Sequence, residues 1–175
     1  MRSLAIIALL ALLLMPCIAE PESIITGSYN ISFDLGLPKD AYTIDVKDPK
    51  ETESLSGKKE IVYSLGIQSE LDPDQVAAFS MTEYVEEQPV ASASPSKMED
   101  AMETLFPSSA RIASRNIDGK NGVIAEYSAK DMTVYTVLYY PNAYLIATMM
   151  STYPWDEGTL SMLKTIHVEK INETS

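Results

Sequence analysis

Apolar and polar residues alternate along much of this chain, and the alternation is densest between Met132 and Val168. There the odd positions Tyr135, Val137 and Tyr139 and the even positions Val134, Leu138 and Tyr140 are all apolar. Leu145, Ala147 and Met149 face Ile146 and Met150 in the same way. Strands apolar on both faces belong inside a sheet that is covered on both sides. The stretch therefore reads as two central strands joined at Pro141-Asn142, followed by a Tyr-Pro-Trp corner and a helix over about 155–167. Asp156 and Glu157 suit the positive end of that helix's dipole. A short extended tail, His167 to Ile171, follows.

Upstream the alternation is one-sided. Tyr29, Ile31, Phe33 and Leu35 fall on one face, with Asn30, Ser32 and Asp34 on the other, which predicts a half-buried strand. Gly36 to Asp40 turns the chain, and Tyr42, Ile44 and Val46 repeat the pattern as an antiparallel partner ending at Asp48-Pro49. Lys50 to Lys59 reads as a polar loop. Further strands are expected at Ile61–Ile67 and Ala77–Tyr84, and Glu86 to Ser94 reads as the mobile loop. Ser94-Pro95-Ser96 opens a helix over about 94–106, with Ser96 and Glu99 matching a capping box and Met98, Ala101, Met102 and Leu105 forming one stripe. A weaker strand at Arg111–Ile117 and its return at Val123–Ser128 flank a hairpin turn, in which Asp118-Gly119 and Asn121-Gly122 both supply positive-φ positions.

Composition narrows the chemistry. Residues 1–19 have the three parts of a secretory signal: Arg2, an apolar run from Leu4 to Met15, and Cys17 and Ala19 at positions −3 and −1 of a cut. Twelve apolar residues fall short of the roughly 20 needed to span a bilayer. The competing reading is a lipid anchor through Cys17. Pro16 stands where such signals carry a small residue. Cleavage after Ala19 takes 19 of the 175 residues and leaves one domain, 20–175, of 156 residues without a thiol. Arg2 leaves too, so 12 basic face 25 acidic side chains, a net of −13. That surface repels phosphate backbones and anionic headgroups, and so argues against nucleic acid and membrane surfaces as partners.

Candidate sites are few. The one histidine, His167, and the absence of cysteine from the mature chain leave zinc without its usual ligands, and no cofactor is implied. No Gly-x-Ser-x-Gly elbow or glycine-rich phosphate loop occurs. Asp72, Asp74, Glu83, Glu86 and Glu87 cluster in sequence as candidates for a carboxylate pair. Asp118 to Gly122 lacks the spacing of a calcium loop, so calcium is an option without a motif. Asn30 and Asn172 head glycosylation sequons. Tyr139, Tyr140, Tyr144, Tyr153 and Trp155 gather near the corner as candidate ligand-binding residues. Aromatic side chains line ligand grooves, but tyrosines also pack their rings in a core with only the hydroxyl wet.

Two stretches carry a resemblance. Tyr29 to Leu35 with the turn after it, and Tyr153 to Leu160 with Leu163-Lys164-Thr165-Ile166, are similar to the opening and close of the PsbP-like family. That family includes a photosystem extrinsic subunit, a Ran-binding nuclear transport factor and secreted archaeal members. The resemblance implies an α+β fold, an α/β/α sandwich about a mainly antiparallel sheet, and an accessory role without a shared active site. The expected function is a secreted, non-enzymatic binding or accessory domain of the cell envelope with a protein or envelope partner. The alternatives are a small extracytoplasmic hydrolase with a carboxylate pair near the aromatic corner, and a calcium-dependent adhesion module. Intact mass of the exported protein should place its N-terminus at Glu20; a lipid-bearing chain that begins at Cys17 would refute the cut.

Overall fold

The computed structural model describes residues 21–85, 94–130, 132–152 and 158–171. The leader with Cys17 and Ala19, the loop carboxylates Glu86 and Glu87, Tyr153, Trp155 and Asn172 lie outside the described residues. Among the described residues ten strands form two antiparallel sheets. The smaller holds β1 (Glu22–Thr26), β2 (Tyr29–Phe33) and β10 (His167–Lys170) in the order β1-β2-β10. The larger runs β3-β4-β5-β9-β8-β7-β6. Its strands are β3 (Tyr42–Glu53), β4 (Lys59–Ser69), β5 (Val76–Tyr84), β6 (Arg111–Ile117), β7 (Lys120–Ala129), β8 (Met132–Asn142) and β9 (Leu145–Ser151). Two α-helices accompany them among the described residues, α1 (Pro95–Leu105) and α2 (Thr159–Thr165), with a short 3-10 turn at Lys39–Ala41.

This is a β-rich fold with two sheets, and the helix-flanked α/β/α sandwich is overturned. One face of the large sheet is covered by the small sheet and α2. Tyr29, Ile31 and Phe33 from β2 and Val168 from β10 pack with Tyr63, Leu65, Ile67, Phe79, Met81, Val137, Tyr139 and Met149 in one core. Met162, Leu163 and Ile166 close its end. Period two explains the layer, because every second residue of each strand points to the same side. On the opposite face α1 covers only the β6-β7-β8 portion, where Met98 and Met102 meet Val123, Ala125 and Leu138. β8 is therefore covered on both faces as its composition requires. β9 is not: its outward Thr148 and Met150 are exposed.

Several local expectations change for physical reasons. The strand that opens at Tyr42 does not pair with β2; it pairs with β4 and continues past Asp48-Pro49 to Glu53. A register shift between Lys47 and Lys50 accommodates the proline in this edge strand, where a missing N–H donor costs no ladder bond. Helix α1 is capped by Ser94, whose Oγ accepts from the Lys97 N–H, so Ser96 and Glu99 form no capping box; Glu99 instead accepts from the Ser114 hydroxyl on β6. Its stripe is half used. Met98 and Met102 are buried, Ala101 and Leu105 are exposed, and Phe106 past the helix end packs on the Tyr127 ring with centroids 4.9 Å apart. Helix α2 stops at Thr165, short of the expected 167, and His167 begins a strand. The Asp118-Gly119 turn has positive φ at both residues, as a two-residue hairpin demands. Gly122 is no turn residue: it lies in β7, where a Cβ would come within 2.7 Å of the Ile117 side chain.

Phe79→Ala, at the centre of the two-sheet core, should cost about 3–5 kcal/mol in urea unfolding, and Met102→Ala under α1 about 2–5 kcal/mol. Leu105→Ala should stay within about 0.5 kcal/mol, because that side chain is 76% exposed.

Candidate functional site

The inward row of β5 is Ala77, Phe79, Met81 and Glu83. Three are apolar core residues. The fourth carries the same alternation to the end of the strand and so delivers a carboxylate to the inner face, only 9% exposed. A buried carboxylate needs donors and a counter-charge, and both sheets supply them. The Tyr29 hydroxyl from β2 donates to Glu83 Oε1 at 2.8 Å, and the Tyr63 hydroxyl from β4 donates to Oε2 at 2.8 Å. Lys170, the last residue of β10, donates from Nζ to Oε1 at 2.8 Å. Lys170 is also the cross-strand partner of Tyr29, and its ammonium lies 5.7 Å from that ring's centroid. The Tyr29 and Tyr63 rings meet edge to face at 5.2 Å.

These contacts set the charge states. Burial alone would raise the Glu83 carboxyl pKa, but the hydrogen bonds from Lys170, Tyr29 and Tyr63 and the Lys170 charge outweigh it and hold the group below its ordinary 4.5. Burial, and then the adjoining carboxylate, push both tyrosine hydroxyls well above their usual value. Glu83 is therefore ionised at neutral pH, with three side-chain donors on it.

A cleft of about 480 Å³ opens beside this cluster. Tyr84 and Tyr144 line it along with Tyr29 and Tyr63, and Asn142, Ile61 and Val85 complete much of the wall. The β8–β9 turn shapes the rim: Asn142 Oδ1 accepts the Tyr144 N–H at 2.8 Å, and the Tyr144 carbonyl accepts the Tyr84 N–H at 2.9 Å. Tyr144 keeps 47% of its surface exposed there.

The sequence candidates separate in space. Tyr139 is 1% exposed in the core with its hydroxyl unpaired among the described residues, and burial raises its pKa strongly. Tyr140, one residue on, faces the opposite side and packs near α1. Of the expected aromatic group, Tyr144 alone among the described residues reaches the cleft. Glu83 is there too; Asp72 and Asp74 are not, and Glu86 and Glu87 lie outside the described residues. Asp72 and Asp74 sit before β5, at the far end of a nine-residue strand, ~25 Å away by strand rise. Nothing in the local pattern marks Tyr29, Tyr63 and Lys170 as site residues. The available signal was a charged residue in the inward register of an otherwise apolar strand.

A second polar contact joins the sheets elsewhere. His167 Nδ1 lies 2.7 Å from Asp118 Oδ1, and the Val168 N–H donates to Asp118 Oδ2 at 3.1 Å. This ties the β6–β7 turn to β10. The hydrogen bond and charge of Asp118 raise the His167 pKa above 6.5, aided slightly by Glu169. No serine hydrogen-bonds His167 among the described residues. The carboxylate that a calcium loop would need is engaged, and no group of three metal-ligating side chains converges among the described residues. Asn30 lies on the outer face of the small sheet, its Oδ1 accepting from Ser23 and its Nδ2 donating to Glu169, so that sequon faces outward. Among the described residues no helix is long and apolar enough to cross a membrane.

Two pH responses follow. Glu83 titrates lower in the folded chain than when unfolded, so its stabilisation is complete above pH 4.5 and fades as pH falls through the lowered value. Glu83→Gln should cost about 1–3 kcal/mol at pH 7, and should flatten the fall in melting temperature between pH 5 and 2 relative to the unaltered chain. His167 has the opposite sign: its contribution is full below pH 6.5 and fades as pH rises through the raised value. Asp118→Asn should lower the His167 pKa in an NMR titration, and an unmoved pKa would show that the contact is not held in solution. No family model matches this chain and no curated protein matches it, so the chemistry of the cleft rests on its own residues.

Proposed function

We propose that this is an extracytoplasmic, non-enzymatic binding or accessory domain that uses the tyrosine-lined cleft beside Glu83 as its ligand site. The observation that carries the reading is the pairing of a 480 Å³ concavity with four tyrosines and one ion pair whose carboxylate is buried. Its size falls in the range of small-ligand and side-chain pockets, and its lining mixes aromatic surface with a few fixed polar groups. Export rests on the leader pattern of residues 1–19.

The hydrolase alternative fares worse on the chemistry of the cleft. A carboxylate held ionised below its usual range, with three donors on it, is a poor proton carrier near neutral pH. It is also the one carboxylate among the described residues of the cleft wall. Its role is to position charge rather than to move protons.

A photoreactive benzoylphenylalanine at position 144, on the cleft rim, should form a defined adduct in the native envelope. The same group at position 104, on exposed α1, should not form it. Equal labelling from both positions would overturn the assignment of the cleft.

A further inference from the structure

We propose that the cleft receives a primary ammonium group carried on an alkyl chain, and that Lys170 occupies this place in the unliganded chain. The inference rests on the binding reading above and names its ligand class. Glu83 brings a full negative charge to a site where it is 9% exposed, and two neutral tyrosine hydroxyls cannot neutralise it. A cation is needed, and the ammonium of Lys170 supplies it from a side chain that is itself 57% exposed. The same ammonium lies over the Tyr29 ring at 5.7 Å, with Tyr63 edge-on to that ring. Carboxylate, ring face and hydroxyls together are the chemistry that recognises an ammonium ion.

Three further features favour an incoming amine over other ligands. Lys170 ends its strand and extends along the wall of a cleft large enough to hold a second alkyl ammonium chain. Its exposed stem can swing into water for little more than a change of rotamers, and an incoming amine leaves Glu83 neutralised throughout. The geometry also selects ammonium over guanidinium. Lys170 reaches Glu83 by a single contact, to Oε1, as a compact ammonium does, whereas a guanidinium fork would engage both oxygens in parallel. Finally, the chain carries a net charge of −12, which draws cations toward the cleft and opposes an anion placed beside Glu83.

The test is NMR titration of the protein and of Lys170→Met with 1,5-diaminopentane and with an acetylated, amidated Gly-Lys-Gly peptide. Lys170→Met keeps the aliphatic stem and removes the competing charge. Amine affinity should rise at least ten-fold in Lys170→Met, with shifts at residues 83–85 and 142–144, and should vanish in Glu83→Gln/Lys170→Met. A preference for the diamine would identify a free amine as the ligand source, and a preference for the peptide would identify a lysine side chain. Equal affinity of Lys170→Met and the unaltered protein, or tighter binding of the matching arginine peptide, overturns the proposal. If Lys170→Met does not fold, the Lys170 Nζ signal of the unaltered chain is followed instead, and one that stays put at saturating diamine overturns it. Cleft shifts caused by acetate or a neutral sugar but not by amines would reject the ammonium assignment and keep the cleft as a site. Silence toward every probe, with equal labelling from positions 144 and 104, would reject both.

Discussion

The inward rows of β2 and β5 cannot face water, and the architecture is arranged around covering them. Tyr29, Ile31 and Phe33 are each at most 2% exposed, as are Phe79 and Met81 opposite. Each such side chain is worth about 1.5–3 kcal/mol on burial, so the small sheet is held on the large one by a contiguous apolar layer. The small sheet joins distant parts of the sequence. β2 pairs with β10, and the side chains of Asn30 and Glu169 that meet across that pair are 139 residues apart. The C-terminal strand thereby completes the layer that the N-terminal hairpin begins.

Glu83 is where the apolar layer gives way to polar chemistry. One more step of the β5 alternation places a carboxylate where an aliphatic residue would otherwise sit, and the cost of burying it is offset by donors from both sheets. The cluster therefore reports on sheet docking: Tyr29 and Lys170 come from the small sheet, Tyr63 and Glu83 from the large one. His167 and Asp118 make a second tie, with Asp118 held at φ 53 in the tight β6–β7 turn. In both ties the carboxylate is sheltered and the cation is more than half exposed, so the ion-pair part of each is screened by salt. Glu83 has two tyrosine hydroxyls on it besides, and it adjoins the cleft.

The two faces of the large sheet differ in what they meet. The inner face is covered by the small sheet and α2, and α2 is itself fastened to the loop after β2: the Asp34 N–H donates to Thr165 Oγ1 at 2.8 Å and the Gly158 N–H to the Leu35 carbonyl at 3.1 Å. The outer face is covered by α1 over one side only. Beyond α1 it presents mainly small and polar side chains such as Ser64, Ser80 and Thr148, which tolerate water without a covering layer, with Met150 exposed among them.

The sequence by itself determined where most strands run, because period two is a local property of the chain. β2, β5, β6, β7, β8 and β9 lie close to where alternation puts them, and Asp118-Gly119 turns the chain as its backbone preferences require. The Met98 and Met102 face was legible for the same reason. What only the tertiary structure decided is which strands meet. Apolar residues on both faces of β8 show that it needs two covers, but not whether each cover is a helix or a second sheet. Covers of both kinds are apolar, so the pattern allowed an α/β/α sandwich where a small sheet in fact lies. The aromatic corner divided for a related reason: adjacent residues of a strand point to opposite faces, so Tyr139 and Tyr140 could not share a site. Glu83, Tyr63, Tyr29 and Lys170 are scattered over the chain, and only the docking of two sheets makes them one site.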